Sequence, residues 1–416
     1  MRIGTTKEGL RYAVRQRTSS AVAFCALTVS GGTRAEETLP EGTAHFVEHT
    51  IFKGTSRRSA AVINGYLDRL GGELNAYTTK EEIVLHATVL KEDLGKAAGL
   101  LMELALEAVF PEKEVEMERG VIIDEIQSYK DSPADDIYDH FESMLFAGHP
   151  LSRLILGSVR SVRKIRREHL LAYYRKCFHY DNMVLTLVGP QSEKQLESLA
   201  GRLSARWEAI SAGRSLQGMR PLPPAALPVP AAVPFEKRLV RRNHQVNCIL
   251  GGPAPTLGER QERIATILLC NILGGPATNS ILNLLLREKH GWVYSVECSY
   301  TPYADSGIVS VTFGCEKENL QRCLELIRRE MDRLQERELS PVRFRQACRQ
   351  LLGQLAVSAD SGEAQALSMG KSLLVFGTVK SEEEDRQAVL SLTPSILRDC
   401  ACRLFDASRL SLLIYE

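Results

Sequence analysis

The chain has 416 residues, 52 of them basic and 51 acidic, with a formal net charge of +1 at pH 7 and 44 % hydrophobic residues. That length exceeds one ordinary domain and predicts two of about 200 residues, each able to bury its own core. The charges are interspersed with no basic stripe among aromatics, so a nucleic-acid partner is not expected, and no apolar run approaches the ~20 residues that span a bilayer.

The first residues, MRIGTTKEGLRYAVRQ, carry no apolar core and no small-residue cleavage site, and read as the start of a folded domain. The strand-like AVAFCALTVSGG follows, then TAHFVEHTIFKGT, Thr43 to Thr55. In a helix His45 and His49 share a face, and Glu48 stands beside them. Two imidazoles on one face are a two-point metal ligand set, with zinc favoured. A neighbouring carboxylate can take a proton from an activated water. The order H-x-x-E-H inverts H-E-x-x-H and is itself a zinc peptidase motif. The competing reading is a helix with two partly buried histidines, each bonded to a backbone carbonyl. A catalytic zinc also requires a third protein ligand.

ELNAYTTKEEIVLHATVL predicts two short strands joined by a turn, and helices are expected over about 91 to 178. Among them, EKEVEMERGVIIDEIQSYKD carries an apolar stripe of Val115, Val121, Ile122, Ile126 and Tyr129 at helical spacing. Glu118 and Glu125 lie within that stripe, whereas Glu112, Glu116 and Asp124 point elsewhere. A carboxylate on a buried face calls for a partner or a metal; alternatively, both sit at the stripe's edge and reach water. The strand NMVLTLVG closes this half.

GMRPLPPAALPVPAAVP, Gly218 to Pro234, reads as an extended proline-rich linker. It predicts a metal-binding domain over 1–217 and a second domain over 235–416. The second half repeats the layout: strand NHQVNCILGG, helices at about 259–273 and 278–289, strands WVYSVECSY and GIVSVTFGC, helices from about 316 to 404, and strand RLSLLIYE. Two copies of one α+β unit are expected, each a mostly antiparallel sheet with helices packed on one face. Only the first copy has the histidines. The ten scattered cysteines look like small buried thiols of a reducing compartment, so a cytoplasmic location is expected. Nothing near Cys400 and Cys402 completes a metal set.

The segments HFVEHTIFKGT, GGELNAYTTKE, ERGVIIDEIQSYKDSP, ILG at 155–157 and LLLREKHGWVYSV together resemble the pitrilysin and insulysin family of zinc peptidases. The similar branch includes mitochondrial processing peptidase and short bacterial relatives, and the likeness covers nearly the whole chain. In that family a glutamate ligand follows the histidine motif by about 75 residues, the spacing from His49 to Glu125 here. The resemblance implies His45, His49 and Glu125 as zinc ligands, Glu48 as general base, and Glu118 as a further catalytic-site residue that supports the site without ligating. It implies that Arg287 and Tyr294 help bind a peptide substrate. The strand with Asn75, Ala76 and Tyr77 would then accept an extended substrate by strand addition, the alternative being an ordinary sheet edge. Leu85-His86 and the loop GGPATNS depart from the family pattern, which bears on substrate preference. Large members carry four such units in one chain, so a two-unit chain is expected to pair with itself or with a related chain. Three functions compete: a zinc endopeptidase, a non-catalytic partner or scaffold subunit, and a zinc hydrolase of small molecules. The intact set His45, Glu48, His49 and Glu125 favours the first.

Overall fold

A computed structural model describes residues 1–214, 233–241 and 245–416. In the first half the strands are β1 (Arg2–Thr5), β2 (Arg11–Gln16), β3 (Val22–Ser30), β4 (Glu73–Thr78), β5 (Glu82–Leu90) and β6 (Met183–Gly189). Its helices are α1 (Thr43–Thr50), α2 (Ala60–Asp68), α3 (Leu94–Glu107), α4 (Glu112–Lys130), α5 (Pro133–Leu145), α6 (Val159–Val162), α7 (Arg167–Cys177) and α8 (Glu193–Ala212). The second half contributes β7 (Glu236–Leu239), β8 (Val246–Pro253), β9 (Val293–Pro302), β10 (Gly307–Cys315) and β11 (Ser411–Tyr415). Its helices are α9 (Arg260–Gly274), α10 (Leu320–Glu336), α11 (Pro341–Ala359), α12 (Gly362–Phe376), α13 (Glu382–Leu390) and α14 (Pro394–Leu404).

The strands form two sheets, ordered β1-β2-β6-β3-β5-β4 and β7-β11-β8-β10-β9. Apart from β1 the orders correspond strand for strand. Each sheet is antiparallel except for one parallel pair, β2 with β6 and β7 with β11. This is the expected duplicated α+β unit. The strands that the sequence reading did not single out, β1, β2 and β7, are short outer strands at the same end of each sheet.

The compact units do not follow chain order. Unit 1 comprises Met1–Ile126, 153–214 and Val357–Lys380; unit 2 comprises Gln127–Ser152, the described residues of 233–356, and Ser381–Glu416. The expected boundaries, 1–217 and 235–416, therefore need correction: each unit contains a helix from the other half of the chain. Of the expected linker 218–234, only Val233 and Pro234 fall among the described residues.

Residue alternation explains the exchange. In β5, Ile83, Leu85, Ala87 and Val89 point into the main core, while Val84 points to the opposite face with Ala13, Ala26, Val184 and Val188. That second face is apolar and must be covered. α12 covers it with Ala366, Met369, Leu373 and Leu374, a stripe at helical spacing. In unit 2, Ile137, Phe141 and Leu145 of α5 cover Ile249, Leu413 and Tyr415 in the same way. Helices thus lie on both faces of each sheet rather than on one. The expected helix at 278–289 also differs, being a π-helical segment over Asn283–Lys289.

α12 seats closely because Gly370 faces the sheet: a Cβ there would lie 2.3 Å from Thr28 Oγ1 and 3.1 Å from Thr186 Oγ1. Gly370→Ala should therefore destabilise unit 1 by about 1–3 kcal/mol through overpacking. Gly353→Ala, in α11 where a Cβ meets nothing within 4 Å, should stabilise by up to about 1 kcal/mol through helix propensity. Urea unfolding followed by circular dichroism compares the two. Equal stabilisation by both would show that α12 is not seated on this face.

Candidate metal centre

α1 begins at Gly42, whose φ of +90° lies in the left-handed region and whose Cβ would meet Leu156 O at 2.7 Å. Gly157, at φ +68°, presses equally closely on Glu41 O. The glycine before the histidine motif and the ILG at 155–157 are thus two sides of one backbone contact. Gly42 has no side chain with which to cap the helix. Glu36 does this instead: its Oε1 accepts the Ala44 N–H at 2.9 Å, and Arg153 Nε donates to its Oε2 at 2.9 Å. Burial pushes the Glu36 carboxyl up to about 7 against those two bonds. Ala44, Phe46 and Val47 enter the core and fix the rotation of α1.

On α4, Val115, Ile122 and Ile126 are buried as expected and set the rotation of that helix in turn. Val121 is not: at 51 % exposure it lies off the stripe, beside Met117, and the partly buried Ile123 packs in its place. With both helices oriented, His45, His49 and Glu125 converge, one ligand atom of each lying within 4.8 Å of the others. Glu125 Oε2 is 3.3 Å from His49 Nε2 and 3.8 Å from His45 Nε2. Donor atoms on a tetrahedral zinc with bonds near 2.1 Å stand about 3.4 Å apart. Glu125 Oε2 is buried and accepts no hydrogen bond among the described residues, a costly state for a carboxylate oxygen unless a cation meets it. Two imidazole nitrogens and one carboxylate oxygen are a donor set that fits zinc with a position left open.

The supporting bonds are equally specific. His49 Nδ1–H donates to Glu118 Oε1 at 2.9 Å, and Lys53 Nζ donates to Glu118 Oε2 at 2.7 Å. A carboxylate that accepts from Nδ1 leaves His49 Nε2 as the nitrogen turned towards Glu125. Glu48 Oε2 accepts from Thr78 Oγ1 at 3.0 Å.

The electrostatics follow from burial and proximity. Burial, then the neighbouring His49, hold His45 down to about 4. Burial also opposes the charged form of His49, but its contacts with Glu125 and Glu118 outweigh this and raise it. His49 keeps Glu125 below the usual carboxylate range. Burial raises Glu48, against the pull of His49 and the Thr78 hydroxyl.

Asn75, Ala76 and Tyr77 lie on β4, the outermost strand of its sheet, with α1 packed beside it. Ala76 turns to the main core, and Tyr77 to the face covered by α12. Arg287 and Tyr294 belong to unit 2, on the π-helical segment and on edge strand β9. Tyr294 is 85 % exposed, and Arg287 lies 3.7 Å from Glu288. The sequence reading missed Lys53, Thr78 and Glu36. Lys53 follows His49 by four residues and Thr78 follows Tyr77 directly, so spacing could have flagged both; nothing in the sequence flags Glu36.

Residues 11–159 match the family described as Insulinase (Peptidase family M16), and 164–351 that described as Peptidase M16 inactive domain. His45, Glu48, His49, Glu118 and Glu125 all fall in the first match. An uncharacterized zinc protease of Streptomyces coelicolor is 30 % identical over 404 residues, covering 96 % of this chain and 87 % of the relative. The uncharacterized zinc protease YmxG of Bacillus subtilis is 27 % identical over 383 residues, 91 % of this chain and 90 % of its own. Among solved structures, a peptidase M16 inactive domain from Pseudomonas fluorescens superposes with a TM-score of 0.89 at 18 % identity, covering 100 % of this chain and 97 % of that one. A protease from Helicobacter pylori gives a TM-score of 0.87 at 18 % identity, covering 100 % and 99 %.

Glu118→Gln should weaken zinc binding about 10–100-fold, because the amide holds His49 less firmly in its ligating tautomer. Competition with a chromophoric chelator measures this. In the unchanged protein the same assay should show affinity falling as pH is lowered, since protons compete with the metal for the His49 imidazole, which holds its proton more tightly than usual. Unchanged affinity in the variant would remove Glu118 from the site.

Proposed function

The chain belongs to the insulinase family of peptidases, M16, and on that premise we propose that it is a zinc metalloendopeptidase acting on extended peptides or unfolded segments. The reading assigns His45, His49 and Glu125 as zinc ligands and Glu48 as general base. The observation that carries it is the convergence of two imidazole nitrogens on a buried carboxylate oxygen that accepts no hydrogen bond among the described residues, with Glu48 next to one of the histidines. The presence of His45, Glu48, His49 and Glu125 together favours this reading over a non-catalytic partner subunit.

Zinc, when bound, supplies a Lewis acid that acidifies water and polarises the scissile carbonyl. The remaining work falls to side chains. The Thr78 hydroxyl steadies one oxygen of Glu48, leaving the other to take a proton from the attacking water and return it to the leaving amine. Its raised affinity for protons suits both transfers. Glu118 and Lys53 hold His49 in place throughout. β4 pairs with no strand on its outer edge among the described residues and can take an extended peptide as an added strand, so that backbone bonds supply affinity for many sequences.

Arg287 and Tyr294 are assigned to substrate binding: a guanidinium can hold a peptide carbonyl or carboxylate, and a phenol can donate a hydrogen bond. The near-complete exposure of so large an aromatic as Tyr294 supports a binding role. Following the family resemblance, the working form is a homodimer or a heterodimer with a related chain. The ten cysteines, all free and nine of them buried, support a reducing, cytoplasmic setting. No helix among the described residues is long and apolar enough to cross a membrane.

Glu48→Gln should retain one zinc per chain and lose about 10²–10⁴-fold in peptide cleavage. His49→Ala and Glu125→Gln should lose the metal as well. Metal analysis paired with a peptide-library digest reads both quantities, and near wild-type cleavage by Glu48→Gln would refute its role as base. The double variant Arg287→Ala/Tyr294→Phe should keep its zinc and lose at least about tenfold in kcat/KM, as truncated polar contacts to substrate do. Unaltered kinetics would confine the pair to unit 2 surface structure.

A further inference from the structure

The outer side of α4 carries a second concentration of chemistry. Arg160, Arg163, Lys164, Arg166 and Arg167 fall within eight consecutive positions that hold no acid. Arg167 is engaged, donating to Val109 O and Phe110 O at 2.9 and 2.8 Å. The side chains of Arg160, Arg163, Lys164 and Arg166 are exposed and form no ion pair among the described residues. Arg163 and Arg166 line a cleft of about 630 Å³ with Arg119, Gly120, Ile165 and Glu116. A Cβ at Gly120 would meet nothing within 4 Å, so this stretch of α4 is open.

Arg119 ties this cleft to the metal centre. Its Nη1 donates to Val162 O at 2.6 Å and Ile165 O at 2.7 Å, and its Nε donates to Glu116 Oε2 at 3.2 Å. The guanidinium carbon lies 5.6 Å from the centroid of the Phe46 ring. Phe46 is the residue after His45, and Arg119 the residue after Glu118. One guanidinium therefore joins both metal-bearing helices to the wall of the cleft. Its Nη2 makes no hydrogen bond among the described residues, so this edge of the fork remains open to a ligand.

We propose that this cleft binds a compact, multiply charged phosphate, and that its occupation braces α4 against α1. Three guanidinium groups facing one small space repel each other, and a ligand of high negative charge in a small volume relieves that repulsion best. Planar guanidinium forks match phosphate oxygens two at a time. Glu116 also lines the cleft and opposes an anion, so its contribution carries the opposite sign.

Inorganic tripolyphosphate is the probe, titrated calorimetrically into the full-length, zinc-loaded protein at ~0.1 M salt, where exposed charges are already screened beyond about 10 Å. Arg163→Gln/Arg166→Gln has the same metal centre and serves as the background for any heat from metal sequestration; its thermal melting checks that it is folded. Binding should be at least tenfold weaker in that variant and tighter in Glu116→Gln, with citrate binding at least tenfold more weakly than tripolyphosphate. Amide exchange over residues 116–123 should slow on addition of tripolyphosphate to the unaltered protein and remain unchanged in the double variant. Equal heats in the two proteins, or equal binding of citrate, would overturn the phosphate site. Binding without slower exchange would overturn the bracing of α4.

Discussion

Glu118 is only 7 % exposed and still carries two strong donors, His49 Nδ1 and Lys53 Nζ. A carboxylate so placed cannot be left unpaired without a penalty of several kcal/mol. That requirement locks α4 to α1 in one register. Once the two helices are locked, the side chain seven residues along α4 has one place to go, and Glu125 meets His45 and His49 there. Phe46 and Val47 on one helix, and Ile122 and Ile126 on the other, are buried in the same apolar core and fix the rotation of each helix. The convergence of His45, His49 and Glu125 thus follows from satisfying a buried acid between the two helices.

The same logic of covering what would otherwise be exposed explains the exchanged helices. A sheet whose inner strands carry apolar residues on both faces cannot leave either face in water. Each unit meets the need with a helix taken from the other half of the chain, α12 over the first sheet and α5 over the second. α5 follows directly on α4, so the chain leaves the helix that carries Glu118 and Glu125 and at once enters the other unit. Folding of either unit therefore needs segments distant in sequence, which raises contact order and should slow its formation.

Much of this was legible in the sequence. The histidine pair and its glutamate could be read because helical spacing is short-range, and the glutamates of α4 stood out because acids in an apolar stripe need an explanation. β3, β5, β6 and β10 could be read because their runs are long and bounded by turn residues. Val121 was misplaced because one apolar residue at a stripe's edge does not reveal on which side the core lies. The helix exchange was hidden for a different reason. The stripe of Ala366, Met369, Leu373 and Leu374 announces a face to be buried, but periodicity does not name the partner. Glu36 could not be found at all, because its role as the cap of α1 depends on the left-handed Gly42 and on a contact with Arg153 far along the chain.

The claim on which the rest stands is that one metal sits between His45, His49 and Glu125. X-ray absorption at the zinc edge of the purified protein tests it without reference to substrate. The expected spectrum has nitrogen and oxygen neighbours only, at about 2.0–2.2 Å, with the outer-shell pattern of two imidazoles. Sulfur neighbours at about 2.3 Å, or a spectrum without imidazole, would place the metal elsewhere and contradict it.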